Sequence, residues 1–525
     1  MKTKEISFES IEKEKKVKTK EINKKAILII FILSLLTCGI FLRFHLVSDT
    51  YWNIGEGYEK YKLIPLKDGR IINFLILSIA EYINIPFEIY QLIMMIGSIL
   101  CYNYAVYTIF IFLKEKINNK QKIIQAIILL SSFLIIYNPM TVETFAYTEM
   151  VIPLSILLFT KAAILLNMQN ENKIENIIKC IICVILGSLC YQGTICFFAV
   201  ISIFCFSINK ENKIKDYINF LVKVLMIYAI GILLMFVVLN ISNALLGKSR
   251  DDFELSVNIL YKLKIFIKLS IHYLIKMPFD IFPKYLIIVS IIISLILIAV
   301  TLRKEKCLNV LKNIIKYIFI IIVAVISANC IMLIQETVSI AARTSLSIGA
   351  IIGISIIYIL FTYLNYTYKP KEKNNEKIKE YDNIFVILII LSIVFVLINM
   401  YNYNNLAIQN QITQKKDEIY LSKINECIVK YEKENNIKIT KVVFKKEIPY
   451  YDTYNGYDSN IFTCKGIVAN YSNIWCLNYY TGRNLEKIND NETFDKLFSR
   501  DKINYQEFNE KQIKFLDETV YIRIY

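Results

Sequence analysis

Apolar runs long enough to cross a bilayer recur along most of this chain, and no other feature constrains its fold as strongly. A membrane-spanning helix needs about 20 consecutive apolar residues. Runs of that order fill 26–47, 89–113, 217–246, 314–334 and 346–364. The chain is 55% hydrophobic, with only 14 Gly and 8 Pro in 525 residues. A soluble domain of this length would need far more polar surface, so the pattern predicts an α-helical polytopic membrane protein.

The polar segments between the runs carry the topology. The formal net charge is +16, but Lys and Arg fall mostly in short connections, which marks cytoplasmic loops and argues against a nucleic-acid surface. Residues 1–25 are polar, carry nine Lys and precede no small-residue cleavage site. They read as a cytoplasmic basic tail before a retained anchor. Spans are then expected at 26–47, 89–113, 123–137, 150–166, 180–191, 195–208, 217–246, 285–302, 314–334, 346–364 and 384–400. The apolar but short 71–83 reads as a re-entrant or interfacial helix. The Lys-interleaved 255–277 reads as an amphipathic helix lying in the interface. About 11 transmembrane helices result, with every strongly basic loop on one side, the N-terminus inside and the C-terminus outside.

Beyond 402 the chain is no longer membrane-like. Residues 412–435 have helical spacing, 437–444 alternate as a strand, and 467–480 look like further strand and turn. A membrane domain over 26–402 and a small C-terminal extracytoplasmic α+β domain over 403–525 are expected. Most of the 12 Cys lie inside apolar runs, where a thiol packs as a small hydrophobe. Cys464 and Cys476 fall in the outer domain, where a disulfide and two free thiols are both open. With only 2 His and a lone Cys-x-x-Cys, Cys180 to Cys183 inside an apolar run, a structural zinc site is not expected.

The candidate chemistry is the set of ionisable and polar residues at the outer ends of the spans. Such groups are costly near hydrocarbon unless they face a cavity or one another. Asp49 follows the first span, where partial burial would favour it as a base near neutral pH. Asp68-Gly69-Arg70 reads either as a turn with Asp68 capping the next helix or as a fixed guanidinium at headgroup depth, suited to a phosphate. Arg343 lies at the same depth, where snorkelling to lipid headgroups is the plainer explanation. Gln192 turns between two spans and presents its amide outward. Glu143 and Glu149 lie in the loop after Asn138-Pro139. Tyr51 and Trp52 can stack on a sugar or anchor at the interface. Asp251 and Asp252 are paired carboxylates of the kind that suits a divalent cation, and equally a solvated loop.

Taken together, these residues resemble a known family. Asp49 after the first span, Asp68-Gly69-Arg70-Ile71-Ile72 opening a second apolar helix, Asn138-Pro139 with Glu143 and Glu149, Tyr191-Gln192 at a hairpin, Ala342-Arg343 before a late span, and Tyr401-Asn402-Tyr403-Asn404 leading into a helix are similar to the GtrII-type bacterial membrane glucosyltransferases, of the GT-C class. The likeness runs through 26–445, in short motifs. It implies an active site in the first outer loop and an inverting transfer of a sugar, glucose above all, from a polyprenyl-phosphate donor to a glycan or teichoic-acid-type acceptor on the outer face. No sugar nucleotide is implied; a divalent cation is the only cofactor left open. Members tend to carry paired acids after the first span. Here Thr50 follows Asp49, so Glu56 or Asp68 stands as the second acid.

The expected roles are then Asp49, with Asp68, as the acids of catalysis, and Arg70, Arg343, Gln192, Glu143, Glu149, Tyr51 and Trp52 as substrate contacts. Two other classes of function compete. A flippase or transporter of lipid-linked sugars would carry charges at mid-membrane and repeats in its two halves. A sensor or scaffold binding a ligand through its outer domain would leave the outer acids and arginines without a common purpose. Convergence of Asp49, Arg70 and Arg343 on one outer site separates the three.

Overall fold

The computed structural model describes residues 24–524 except 118, 120, 148, 169–172, 209–213, 248–258, 278, 280–281, 329–340, 369–382, 447–460 and 499–507. Residues 1–23 of the basic tail, Asp251, Asp252 and Glu336 therefore lie outside the described residues. The helices run α1 (Lys24–Leu42), α2 (Ser48–Tyr61), α3 (Leu63–Lys67), α4 (Ile71–Ile83), α5 (Phe87–Ile117), α6 (Lys122–Ile136), α7 (Val151–Asn167) and α8 (Lys173–Cys190). They continue through α9 (Cys196–Ser207), α10 (Ile214–Leu246), α11 (Ile259–Ile275), α12 (Leu286–Thr301), α13 (Cys307–Ser327), α14 (Leu346–Tyr366) and α15 (Asn383–Asn435).

Among the described residues, six helices (α1, α5, α10, α13, α14 and α15) are long and apolar enough to cross a membrane. Each other expected span also falls on a helix, but those are shorter or more polar. Burial sorts the bundle: the apolar window of α14 is 94% buried, while that of α10 is 28% buried. A helix apolar all round belongs at the centre; one whose Leu and Ile face outward needs lipid against it. Two charges that the apolar pattern hides lie within helices. The Lys161 and Lys316 ammonium groups sit over the Tyr104 and Tyr217 rings at 4.5 and 5.4 Å.

The largest departure from expectation is α15. It is one helix of 53 residues, about 80 Å long at 1.5 Å per residue, so no boundary falls at 402–403. Asn-rich sequence favours turns when its amides can reach their own backbone. Here Asn402 and Asn404 back-bond to Ile398 and Met400 of the same helix, and several polar side chains also reach other segments. Asn399 donates to the Tyr137 carbonyl at 2.7 Å and Tyr403 to the Asn138 carbonyl at 2.7 Å. Asn404 donates to the Leu36 carbonyl at 2.9 Å, and Asn410 to those of Leu46 and Phe462 at 3.1 and 2.9 Å. One face of α15 thus binds the carbonyls of α1, of the strand-like link after it and of the turn after α6.

The C-terminal half of α15 is built into the C-terminal domain. Strands β1 (Lys441–Lys446), β2 (Glu486–Lys487), β3 (Ile513–Leu516) and β4 (Thr519–Ile524) form a sheet of order β2-β1-β4-β3. Pairing is parallel for β1 with β2 and with β4, and antiparallel for β3 with β4. Leu421, Ile424 and Ile428 of α15 pack on one face with Val442, Val520 and Ile522. Phe494 and Phe498 of a helix at Asn491–Phe498 cover Val443 and Tyr521 on the other. Helices on both faces of a largely parallel sheet make this closer to an α/β layer than to the expected α+β arrangement. Residues 467–480 end in α16 (Asn473–Thr481), not in a strand. Cys464 and Cys476 are both buried, and no disulfide joins them.

Asn410 is 3% exposed and serves two carbonyls. Asn410→Ala leaves the Phe462 carbonyl without this donor, while Leu46 keeps Gln414 at 3.3 Å; the change is expected to destabilise the full chain by about 1–3 kcal/mol, the cost of a buried acceptor left unpaired. A thermal midpoint in detergent that stays at the wild-type value would contradict this role for α15.

Candidate functional site

The connection after α1 is held by side chains from three other helices. Burial draws the His45 imidazole below its ordinary pKa, against the pull of the Arg43 and Phe145 carbonyls. Its Nε2 and Nδ1 lie 2.8 and 3.0 Å from those oxygens. Gln91 of α5 donates to the His45 carbonyl at 2.8 Å. Thus pinned, the chain enters α2 with Asp49 in its first turn, where the unpaired N–H groups favour a carboxylate. The Tyr471 hydroxyl donates to Asp49 Oδ1 at 2.8 Å. Trp52, one position past Tyr51, tilts against Tyr471 at 5.1 Å and meets the edge of Tyr61 at 5.9 Å.

Tyr51 has a different place. It is 1% exposed, belongs to the core of the C-terminal domain and donates to the Tyr480 hydroxyl at 2.8 Å. It cannot stack on a sugar, and the expectation that it contacts substrate is corrected. Glu56 pairs with Lys60 at 3.8 Å on the open side of α2, away from the other acids.

Asp68-Gly69-Arg70 is the C-cap of α3 and not an Asp cap of α4. The Arg70 N–H reaches the Pro65 carbonyl at 2.8 Å and the Gly69 N–H reaches Leu66 at 3.0 Å. With Gly69 at φ +74°, this is the six-to-one, five-to-two pattern of a Schellman turn, in which a side chain at the left-handed position is strained. The turn places the Arg70 guanidinium 3.5 Å from Asp68 Oδ2 and, on its other side, over the Tyr191 ring at 4.8 Å. Gln192 donates to the Asp68 carbonyl at 3.3 Å, and its own Oε1 is buried without a hydrogen-bond partner.

Arg343 approaches the same tyrosine from the opposite end. Its backbone N–H donates to Glu143 Oε2 at 2.7 Å, Nη1 to Glu143 Oε1 at 2.6 Å, and Nε to the Tyr191 hydroxyl at 2.9 Å. Its guanidinium also lies over the Tyr147 ring at 4.5 Å. Gly193 makes this approach possible: a Cβ there would come within 2.7 Å of Tyr191 and 2.9 Å of Thr344. Two arginines therefore share Tyr191, one on its face and one at its hydroxyl. The Arg70 and Arg343 side chains keep 21% and 24% of their surface, against 6% and 10% for Asp68 and Glu143. The cations thus line the accessible side while their carboxylates lie behind them.

Glu149 completes the cluster. Burial raises its carboxyl above the ordinary glutamate value; Arg70 and the Asn73 amide oppose the shift, and Asp49 and Asp68 add to it. Of the expected site residues, Asp49, Trp52, Asp68, Arg70, Glu143, Glu149, Gln192 and Arg343 are thus joined by direct contact or by charge. The phenols of Tyr147, Tyr191 and Tyr471 were not expected. Tyr191 had a weak signal, its place at a hairpin turn; Tyr471 had none in a chain with 36 Tyr. Among the described residues there is no group of three or more metal-ligating side chains.

A carboxyl whose pKa is raised by folding costs stability as pH rises from its unfolded toward its folded value, because burial then opposes a charge. Glu149→Gln is accordingly expected to raise the thermal midpoint more at pH 8 than at pH 5. An equal change at both would show that Glu149 carries no such charge penalty. No protein-family model matches the chain, and no characterised protein matches it in sequence.

Proposed function

We propose that the chain is an inverting membrane hexosyltransferase that uses a polyprenyl-phosphate sugar, glucose foremost, on the outer face of the membrane. The observation that carries this reading is the meeting of Arg70 and Arg343 on Tyr191, beside Glu149 and within charge reach of Asp49. A lipid-borne sugar phosphate presents its anion at headgroup depth and its tail to hydrocarbon, which suits paired guanidinium groups at the edge of an apolar bundle. The layout agrees with the resemblance to the GtrII-type enzymes. It goes with eleven crossings, a cytoplasmic N-terminus and an outer C-terminal domain. A transporter of lipid-linked sugars would carry charges at mid-membrane and repeats in its two halves, and a sensor would not need two arginines at one point.

In this mechanism the acceptor hydroxyl attacks the anomeric carbon while Asp49 takes its proton. The bond from the anomeric carbon to the phosphate oxygen breaks, and the electron pair leaves with the phosphate. Arg70 and Arg343 balance the charge that grows on the departing group. Trp52 stands beside Asp49, where a sugar ring can lie against it.

In vesicles given radiolabelled polyprenyl-phosphate glucose, Asp49→Asn is expected to lower transfer to surface glycan by about 10²-fold or more, the usual loss on removing a general base. Full transfer by Asp49→Asn would remove it from that role. Surface glycans with the same hexose content, whether or not the gene is present, would overturn the assignment itself.

A further inference from the structure

Both tryptophans of the chain lie on one seam, between α2 and the C-terminal domain. The Trp475 ring covers Gly55 so closely that a Cβ there would come within 2.1 Å of it. Tyr51, on the same helix, is sunk into the domain and bound to Tyr480. Trp52 remains at the edge of the seam, against Tyr471 at 5.1 Å. The domain therefore rests on the helix that carries Asp49, and among the described residues its hydrogen bond to that carboxylate comes from Tyr471.

The segment that presents Tyr471 is itself fixed. Asp417 of α15, 2% exposed, accepts from the Gly466 N–H at 3.0 Å. The Ser472 hydroxyl reaches back to the Gly466 carbonyl at 3.4 Å, and the Ser472 and Asn473 N–H groups both close onto the Ala469 carbonyl. Support thus runs from the long helix through Gly466 and Ser472 to the Tyr471 hydroxyl. A carboxylate has two equivalent oxygens and a freely turning χ2. A donor held in place at Oδ1 decides which oxygen is left for the acceptor. Glu149 and the phenols of Tyr61 and Tyr147 also act on Asp49 by charge, and none of them is shown bonded to it.

We propose that Tyr471 is a positioning residue for Asp49, so that the C-terminal domain is a working part of the outer site. This rests on the reading of Asp49 as the base. The domain's docking on α2 then sets the orientation of the carboxylate, and the outer reaction requires both halves of the chain.

The test is a double-substitution cycle in the full chain, read in two ways. With radiolabelled polyprenyl-phosphate glucose, Tyr471→Phe is expected to lower kcat about tenfold, the loss of one hydrogen bond to a charged group, with KM within about twofold. In an Asp49→Ala background the same change is expected to lower kcat by less than about twofold, since residues acting as a unit are non-additive. Tyr480→Phe removes the hydrogen bond with Tyr51 from the core and leaves Tyr471 on Asp49; it is expected to leave kcat at the wild-type value. The thermal midpoint, followed by the emission of Trp52 and Trp475, gives a readout independent of activity. Tyr471→Phe and Asp49→Ala should each lower it, and together by no more than the larger single effect. Additive losses in either readout, or an equal fall in kcat for Tyr480→Phe, would overturn the proposal. A wild-type chain that transfers no sugar would sink the functional reading, and the unfolding cycle would still decide whether Tyr471 holds Asp49.

Discussion

Backbone that is not helical at the edge of a bilayer must find its hydrogen bonds inside the protein, because hydrocarbon offers none. The candidate site of this chain is made of such backbone: the link after α1, the Asn138-Pro139 turn, the turn at Asp68 and the turn at Arg343. Each is paired by side chains from elsewhere. Asn399, Tyr403 and Asn410 of α15 take three of these carbonyl groups, Gln91 takes that of His45, and Gln192 that of Asp68. Irregular loops held this way keep their polar side chains at fixed positions without the cost of unpaired peptide groups.

Charge is settled by the same economy. Arg343 satisfies Glu143 with both backbone and side chain, so neither ion is left buried alone, the condition under which a buried pair is tolerated. Arg70 has Asp68 on one side and the face of Tyr191 on the other. An aromatic face attracts a guanidinium but does not neutralise it, which leaves both cations able to meet an anion. Burial, with Asp49 and Asp68, raises the Glu149 carboxyl, while Arg70 and Asn73 oppose that shift.

Much of this was legible in the sequence because membranes punish misplaced charge. Asp49, Arg70, Glu143 and Arg343 stood out as ionisable groups beside apolar runs, and the structure brings them to one neighbourhood. What escaped reading depended on tertiary partners. The stretch after 402 looked like a departure from the membrane into a separate domain, yet Asn399, Asn404 and Asn410 reach carbonyls of other segments and the helix runs on unbroken. Asp68 looked like a cap for α4, but the left-handed Gly69 after it makes it the end of α3. Tyr471 is 422 residues from the carboxylate it meets, a separation over which local pattern carries no information. Tyr51 misled for the opposite reason: an aromatic next to a candidate base reads as a sugar platform, and only the packed domain shows it to be core.

All of this has a mechanism only if the cluster faces outward, and labelling from one side of the membrane measures that directly. Lys60 lies on α2 with 74% of its side chain exposed, while Cys307 is the exposed native thiol among the described residues and falls after the basic loop at 303–306. A membrane-impermeant maleimide applied to intact cells carrying Lys60→Cys, with sites read by peptide mass mapping, should modify position 60 and reach Cys307 only after permeabilisation. The reverse pattern, with Cys307 modified in intact cells and position 60 protected until the membrane is opened, would place Asp49 and both arginines in the cytosol and contradict the account.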